Sequence, residues 1–177
     1  TAPAGAQVFL EAGEVTAPPE GAFVLCVEDR ETCGLIAPRK QPAPVDGAMG
    51  DGEIMALAHV TNARFNTLIR YRTDRYVWGV QERWVRPVSQ FRSRVGDCED
   101  YALEKRAALL AAGVPADRLR MAVVWSRSTG VHAVLVVRTA EGDFVLDNAV
   151  SEIRRVDETG YEWRSVQSGP HLLAWAS

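Results

Sequence analysis

Gly96-Asp97-Cys98-Glu99-Asp100-Tyr101-Ala102 sets a cysteine where a helical run begins. The run continues through Leu103-Glu-Lys-Arg-Ala-Ala-Leu-Leu-Ala-Ala112 to Gly113, with Pro115 just beyond. A glycine stop followed by a proline breaker predicts a helix over about 97–112. A thiol in the first turn of that helix faces unpaired backbone N–H groups and the positive end of the helix dipole, both of which favour a thiolate. The same N–H groups are placed to donate to the oxyanion of a tetrahedral intermediate.

Working outward, Ile54, Leu57, Ala58, Thr61, Phe65, Leu68 and Ile69 follow the spacing of one helix face and predict a core-facing helix over about 53–70. Asn62 and Asn66 sit four apart on a neighbouring face, either as solvated amides or as donors into an adjacent site. An irregular stretch with Trp78, Trp84 and Pro87 should wrap over the helix pair. Downstream, Leu119–Trp125, Val131–Arg138 and Asp143–Asp147 read as strands, separated by turn chemistry at Ser126-Arg-Ser-Thr-Gly130 and Glu141-Gly142. Short links imply antiparallel hairpins, and Tyr161, Trp163 and Trp175 mark one or two further strands. The order helix, helix, strands predicts an α+β domain with helices packed on an antiparallel β-sheet.

Two of these strands bring partners for the thiol. His132 lies in the middle strand and Asp147 at the end of its neighbour, so a ladder can hold imidazole and carboxylate side by side. Cys98, His132 and Asp147 are then sulfur to attack, imidazole to hold the proton and carboxylate to orient the ring, the needs of a cysteine hydrolase or acyltransferase. His59, within the apolar helix, and His171, after Gly169-Pro170, compete less well for the role of base. Asp97, Glu99 and Asp100 oppose thiolate formation unless something offsets their charge. They can be helix-cap and first-turn acids, or a carboxylate cluster for a hard cation such as Ca²⁺.

The chain of 177 residues reads as one domain, 1–177, with residues 1–22, rich in Ala, Pro and Gly, as a loosely ordered lead-in. A formal net charge of −3 with scattered basic residues argues against nucleic acid or anionic membrane as partners. No apolar stretch approaches the roughly 20 residues of a bilayer span. Residues 37–52 read as a long loop. The start at Thr1 without an initiator Met suits a chain that has lost an export signal or has been trimmed. Cys26 and Cys33 bracket a short polar loop that a disulfide closes in an oxidising compartment; two free thiols or a metal pair are the alternatives.

Gly96-Asp-Cys-Glu-Asp-Tyr-Ala102, Val131-His-Ala-Val134 and Leu146-Asp-Asn148, with Asn62-Ala-Arg-Phe-Asn66, Tyr71, Asp74 and Trp78-Gly79 upstream, resemble the bacterial transglutaminase-like cysteine proteinases of the LapG type. The resemblance covers about residues 50–150 closely. It implies a papain-like, transglutaminase-like core in which Cys98 is nucleophile, His132 general base and acid, and Asp147 the orienting carboxylate. It also implies a periplasmic location, a Ca²⁺ site at Asp97, Glu99 and Asp100, and a polypeptide substrate such as the N-terminal region of a large surface adhesin, whose release disperses biofilm. A c-di-GMP-responsive inner-membrane receptor is the partner it implies. Three other functions use the same residues: a transglutaminase or amide acyltransferase, a cell-wall peptidase, and a binding protein with a decayed site.

Overall fold

The computed structural model describes residues 7–37 and 49–177. Residues 1–6 of the expected lead-in and 38–48 of the expected loop lie outside them. In chain order the elements are β1 (Val15–Thr16), α1 (Glu20–Glu28), α2 (Arg30–Cys33), α3 (Asp51–Leu68), β2 (Arg70–Tyr71), α4 (Asp74–Val77), α5 (Pro87–Phe91), β3 (Val95–Gly96) and α6 (Cys98–Ala111), followed by β4 (Leu119–Ser126), β5 (Gly130–Thr139), β6 (Gly142–Leu146), β7 (Arg154–Arg155), β8 (Glu162–Gln167) and β9 (Trp175–Ala176). This is the mixed helix and antiparallel-sheet arrangement that the periodicities predict.

Seven strands form one sheet in the order β1-β9-β8-β4-β5-β6-β7, every neighbouring pair antiparallel. Its centre is the β4–β5 hairpin, in register from Leu119 opposite Val137 to Ser126 opposite Gly130. Gly130, at φ 70°, closes the turn in a conformation that L side chains rarely adopt. Alternation puts Leu119, Met121, Leu135, Val137 and Leu146 on one face, packed with Ile54 and Ala58 of α3 and Leu103 and Leu109 of α6. On the other face Ala122, Val124, Val134, Val136, Val145 and Val166 pack together under Val8 and Leu10. Both faces are covered, so β5 is apolar at nearly every position.

Helix α6 ends as its sequence requires. Gly113 takes φ 95°, and the Val114 N–H turns back to the Leu109 carbonyl at 3.0 Å. Two features were not legible in the periodicity. Helices α1 and α2 form a hairpin ahead of the two expected helices, with Cys26 and Cys33 joined in a disulfide. Asp29 nucleates the second of these helices by accepting the Thr32 N–H at 2.9 Å and the Thr32 hydroxyl at 2.7 Å. The irregular stretch also carries structure of its own: β2 and β3 pair in parallel, Tyr71 opposite Gly96.

That stretch is anchored by Trp84, buried against Trp175 with ring centroids 6.1 Å apart and against α1 at Gly21. A Cβ added at Gly21 would lie 2.1 Å from the indole Cδ1, whereas one added at Gly52 meets nothing within 4 Å among the described residues. Gly21→Ala is therefore expected to cost about 1–3 kcal/mol through overpacking. Gly52→Ala, near the exposed start of α3, should be neutral or stabilising by a few tenths, up to about 1 kcal/mol. Thermal denaturation of the two variants checks the pair.

Candidate active site

Cys98 opens α6, and the residue before it, Asp97, occupies the N-cap position without capping: no side-chain hydrogen bond runs from it to the helix. Its Oδ2 instead accepts the Asp74 N–H at 2.9 Å. The carboxylate is diverted because β2 pairs with β3 and brings the start of α4 alongside the start of α6.

His132 and Asp147 meet across β5 and the end of β6, with His132 Nε2 and Asp147 Oδ1 2.7 Å apart. Both are buried. Asp147 is held from three more sides: its Oδ1 accepts the Ala149 N–H at 2.8 Å, its Oδ2 accepts the Tyr161 hydroxyl, and its backbone carbonyl accepts the Asn66 amide at 2.7 Å. Burial works to raise the Asp147 carboxyl, but the hydrogen bonds and the His132 ring prevail and hold it below the usual carboxylate range. Tyr161 is raised by burial and by the carboxylate it donates to, so it stays a donor. Its ring also meets His132 edge-on at 6.1 Å. Tyr161 was missed because a tyrosine in a predicted strand carries no local mark of its partner.

Cys98 is the free cysteine of the chain. It lines an open cleft of about 740 Å³ together with Tyr71, Trp84, His132, Ala133 and Ser165. Of the three histidines, His132 is the one in that lining; His59 lies exposed on α3, and His171 sits beside Gly34. The Cys98 thiol donates to Glu99 Oε2 at 3.2 Å. Burial raises its pKa first and the Glu99 charge adds to this, against the Ala133 backbone N–H, which lowers it. The dipole argument therefore loses to desolvation and neighbouring carboxylates in the protein alone.

The acidic residues do not all point one way. Asp97 and Glu99 join Asp74, with one carboxylate oxygen from each within 4.8 Å of the others and all three buried. Burial raises the Asp74 carboxyl to about 6 with Asp97 adding to it, and burial likewise raises Asp97 and Glu99. Asp97 Oδ1 is buried without a hydrogen-bond partner among the described residues. Asp100, expected with this group, has its Oδ1 accepting the Val85 N–H at 2.9 Å, while its Oδ2, beside Gly96, is buried without a partner among the described residues; burial raises its carboxyl, and the charges of Asp97 and Asp74 add to this. Asp74, from the upstream stretch, joins the cluster through tertiary pairing, which no local spacing in the sequence signals.

An oxygen-only set of three buried carboxylates, one with an unpaired oxygen, fits a hard divalent cation and suits Ca²⁺ better than a softer metal.

The profile of the bacterial transglutaminase-like cysteine proteinases matches residues 12–177. Among solved structures, LapG of Legionella pneumophila in its calcium-bound form is 26% identical with a TM-score of 0.60, the match covering 70% of this chain and 69% of that one. The EGTA-treated form of the same protein is 27% identical with a TM-score of 0.58, covering 70% and 67%. No curated protein matches the chain by sequence.

Tyr161→Phe removes one donor from a buried carboxylate and should cost about 1–3 kcal/mol. Because the folded Asp147 carboxyl lies below its unfolded value, its contribution is present above the unfolded pKa and is lost as pH falls through the folded one. Losing the phenol donor narrows that gap, so acid unfolding of Tyr161→Phe, followed by circular dichroism, is expected at higher pH than in the parent.

Proposed function

The chain belongs to the bacterial transglutaminase-like cysteine proteinases, and from that membership we propose that it is a cysteine endopeptidase with Cys98 as nucleophile, His132 as base and acid, and Asp147 as the orienting carboxylate. The observation that carries the reading is the 2.7 Å contact between His132 and Asp147 on the wall of the cleft that also holds Cys98.

In the first half-reaction His132 takes the thiol proton as sulfur attacks the peptide carbonyl. Backbone N–H groups at the start of α6 stabilise the oxyanion. The C–N bond then breaks, and the imidazolium gives its proton to the leaving amine, leaving a thioester on Cys98. In the second, His132 removes a proton from water as it attacks the thioester, and the thiol leaves with that proton. Asp147 stays ionised throughout, because the three hydrogen-bonding contacts to its carboxylate hold it in place and favour the anion.

Asp74, Asp97 and Glu99 would hold Ca²⁺, as the calcium-bound relative suggests, and the bound ion supplies positive charge beside the sulfur. The assignment rests on the carboxylate cluster of this chain. A periplasmic location is supported by the Cys26–Cys33 disulfide, which persists in oxidising compartments. We further assign as substrate an extended polypeptide, the N-terminal region of a surface adhesin, with control by a c-di-GMP-responsive inner-membrane receptor. The open cleft accommodates an extended chain; the adhesin and the receptor come from the family resemblance.

Cys98→Ala is expected to abolish cleavage of adhesin N-terminal fragments, read by gel and mass spectrometry, with an unchanged melting curve. Full activity in that variant would remove the scheme, and amine-linked products in place of hydrolysed ones would make the protein an acyltransferase. Calcium at a hundredfold excess over its dissociation constant should stabilise the fold by about 2.7 kcal/mol, seen as a higher melting temperature that a chelator reverses. Asp74→Asn should lose that increment; a full calcium-dependent rise in that variant would take Asp74 out of the site.

A further inference from the structure

Lys105 is fully buried on α6, and its Nζ has no hydrogen-bond partner among the described residues. A buried, unpaired ammonium is among the most costly groups a fold can carry, so its place needs a reason.

That place follows from the pairing of α6 with α3. Near the start of α6, the Tyr101 hydroxyl donates to the Ile69 carbonyl at 2.6 Å and its ring packs with Phe65. Near the end of α6, Leu109 packs in one cluster with Ala58 and Ile54. The two helices therefore run antiparallel, and Lys105, one turn beyond Tyr101, stands level with residues 62–66 of α3. Its Nζ lies 5.8 Å from the Tyr101 ring centroid.

On that stretch of α3 the two asparagines reach the loop after β6. Asn62 donates to the Ser151 carbonyl at 3.1 Å, and Asn66 to the carbonyls of Asp147 and Val150 at 2.7 and 3.5 Å. The amide oxygens of Asn62 and Asn66 are buried without partners among the described residues. Lys105 thus stands on the stretch of α6 that faces the two asparagines bracing the loop that carries Asp147.

We infer that Lys105 is a positioning residue for the His132–Asp147 pair, its cation set behind the Asp147 carboxylate so that the charge on Lys105 governs how readily His132 accepts a proton. The assignment rests on the catalytic roles proposed above.

The surrounding charges leave Lys105 to this task. Its own helix sends Glu104 to Ser89 and Arg106 toward the Pro170 carbonyl. Tyr101 is tied to Ile69, and α3 contributes the neutral Asn62 and Asn66. From the sheet side, Asp147 is the charge that opposes the effect of burial on Lys105, and it is flanked by His132 and by the Tyr161 phenol. Burial pushes the Lys105 ammonium down to about 7, with Asp147 opposing, so its charge changes in the range where a histidine works. A cation there stabilises the carboxylate and disfavours imidazolium. Removing it does the reverse.

The test follows the His132 ring by NMR titration in the full chain at fixed calcium, in a Cys98→Ala background that takes the thiol out of the titration. The signal is assigned by its loss in His132→Gln. Lys105→Met, which keeps the length of the side chain, and Lys105→Gln, which keeps its hydrogen-bonding capacity, both remove the charge. The expected result is that each moves the His132 midpoint to higher pH by roughly half a unit or more. Curves that coincide with the parent in both variants would overturn the assignment, even if the variants melt at lower temperature, because a merely structural lysine changes stability without changing the titration. Movement in Met alone would overturn it as well, since packing and not charge would then be the cause. If the wild-type protein cleaves no polypeptide, the protease reading fails separately, and the titration still reports on the link between Lys105 and His132.

Discussion

Carboxylates that must be buried to close the fold hold the backbone that has little regular structure of its own. Residues 71–95 carry only short elements, and their free N–H groups need acceptors once they are packed against α6. Asp97 takes the N–H of Asp74, Asp74 that of Arg83, Asp100 that of Val85, and Glu104 both the N–H and the hydroxyl of Ser89. Each pairing satisfies two groups that would otherwise be costly to bury. The irregular stretch thereby becomes one wall of the cleft, and Trp84 sits in that wall with its other side against α1.

The same constraint sets the chemistry. Bringing the start of α4 to the start of α6 places Asp74 beside Asp97 and Glu99, and this concentrates negative charge next to Cys98. Burial and the charge of Glu99 hold the thiol protonated in the protein alone. A cation held by the three carboxylates, as proposed, would relieve what the helix dipole cannot, which would make the carboxylate cluster and the Cys98 thiol parts of one electrostatic problem. On the opposite wall the balance runs the other way. Asp147 is surrounded by donors, which hold its carboxyl below the usual carboxylate range.

Much of this was legible along the chain. The glycine and proline after α6, the 3,4 spacing of α3 and the glycine-marked turns around β5 each act within a few residues, so local conformational preference is enough to place them. The disulfide-bonded hairpin of α1 and α2 was not, because four residues of α2 carry no period and its start depends on the side chain of Asp29. Asp74 shows the limit most clearly: it stands 23 positions before Asp97, and only the pairing of β2 with β3 brings its carboxylate to the acidic run.

The sequence by itself determined the α+β character, the central hairpin, the helix that presents Cys98 and the meeting of His132 with Asp147, since period, turn chemistry and strand pairing are short-range rules. Tertiary structure alone decided that Asp74 joins Asp97 and Glu99, that Tyr161 and Asn66 brace Asp147, and that Lys105 is fully buried. Those contacts join residues 14 to 81 positions apart, and no local preference encodes which buried donor will find which buried acceptor. Only the closing of the core, which leaves no water to serve instead, forces that choice.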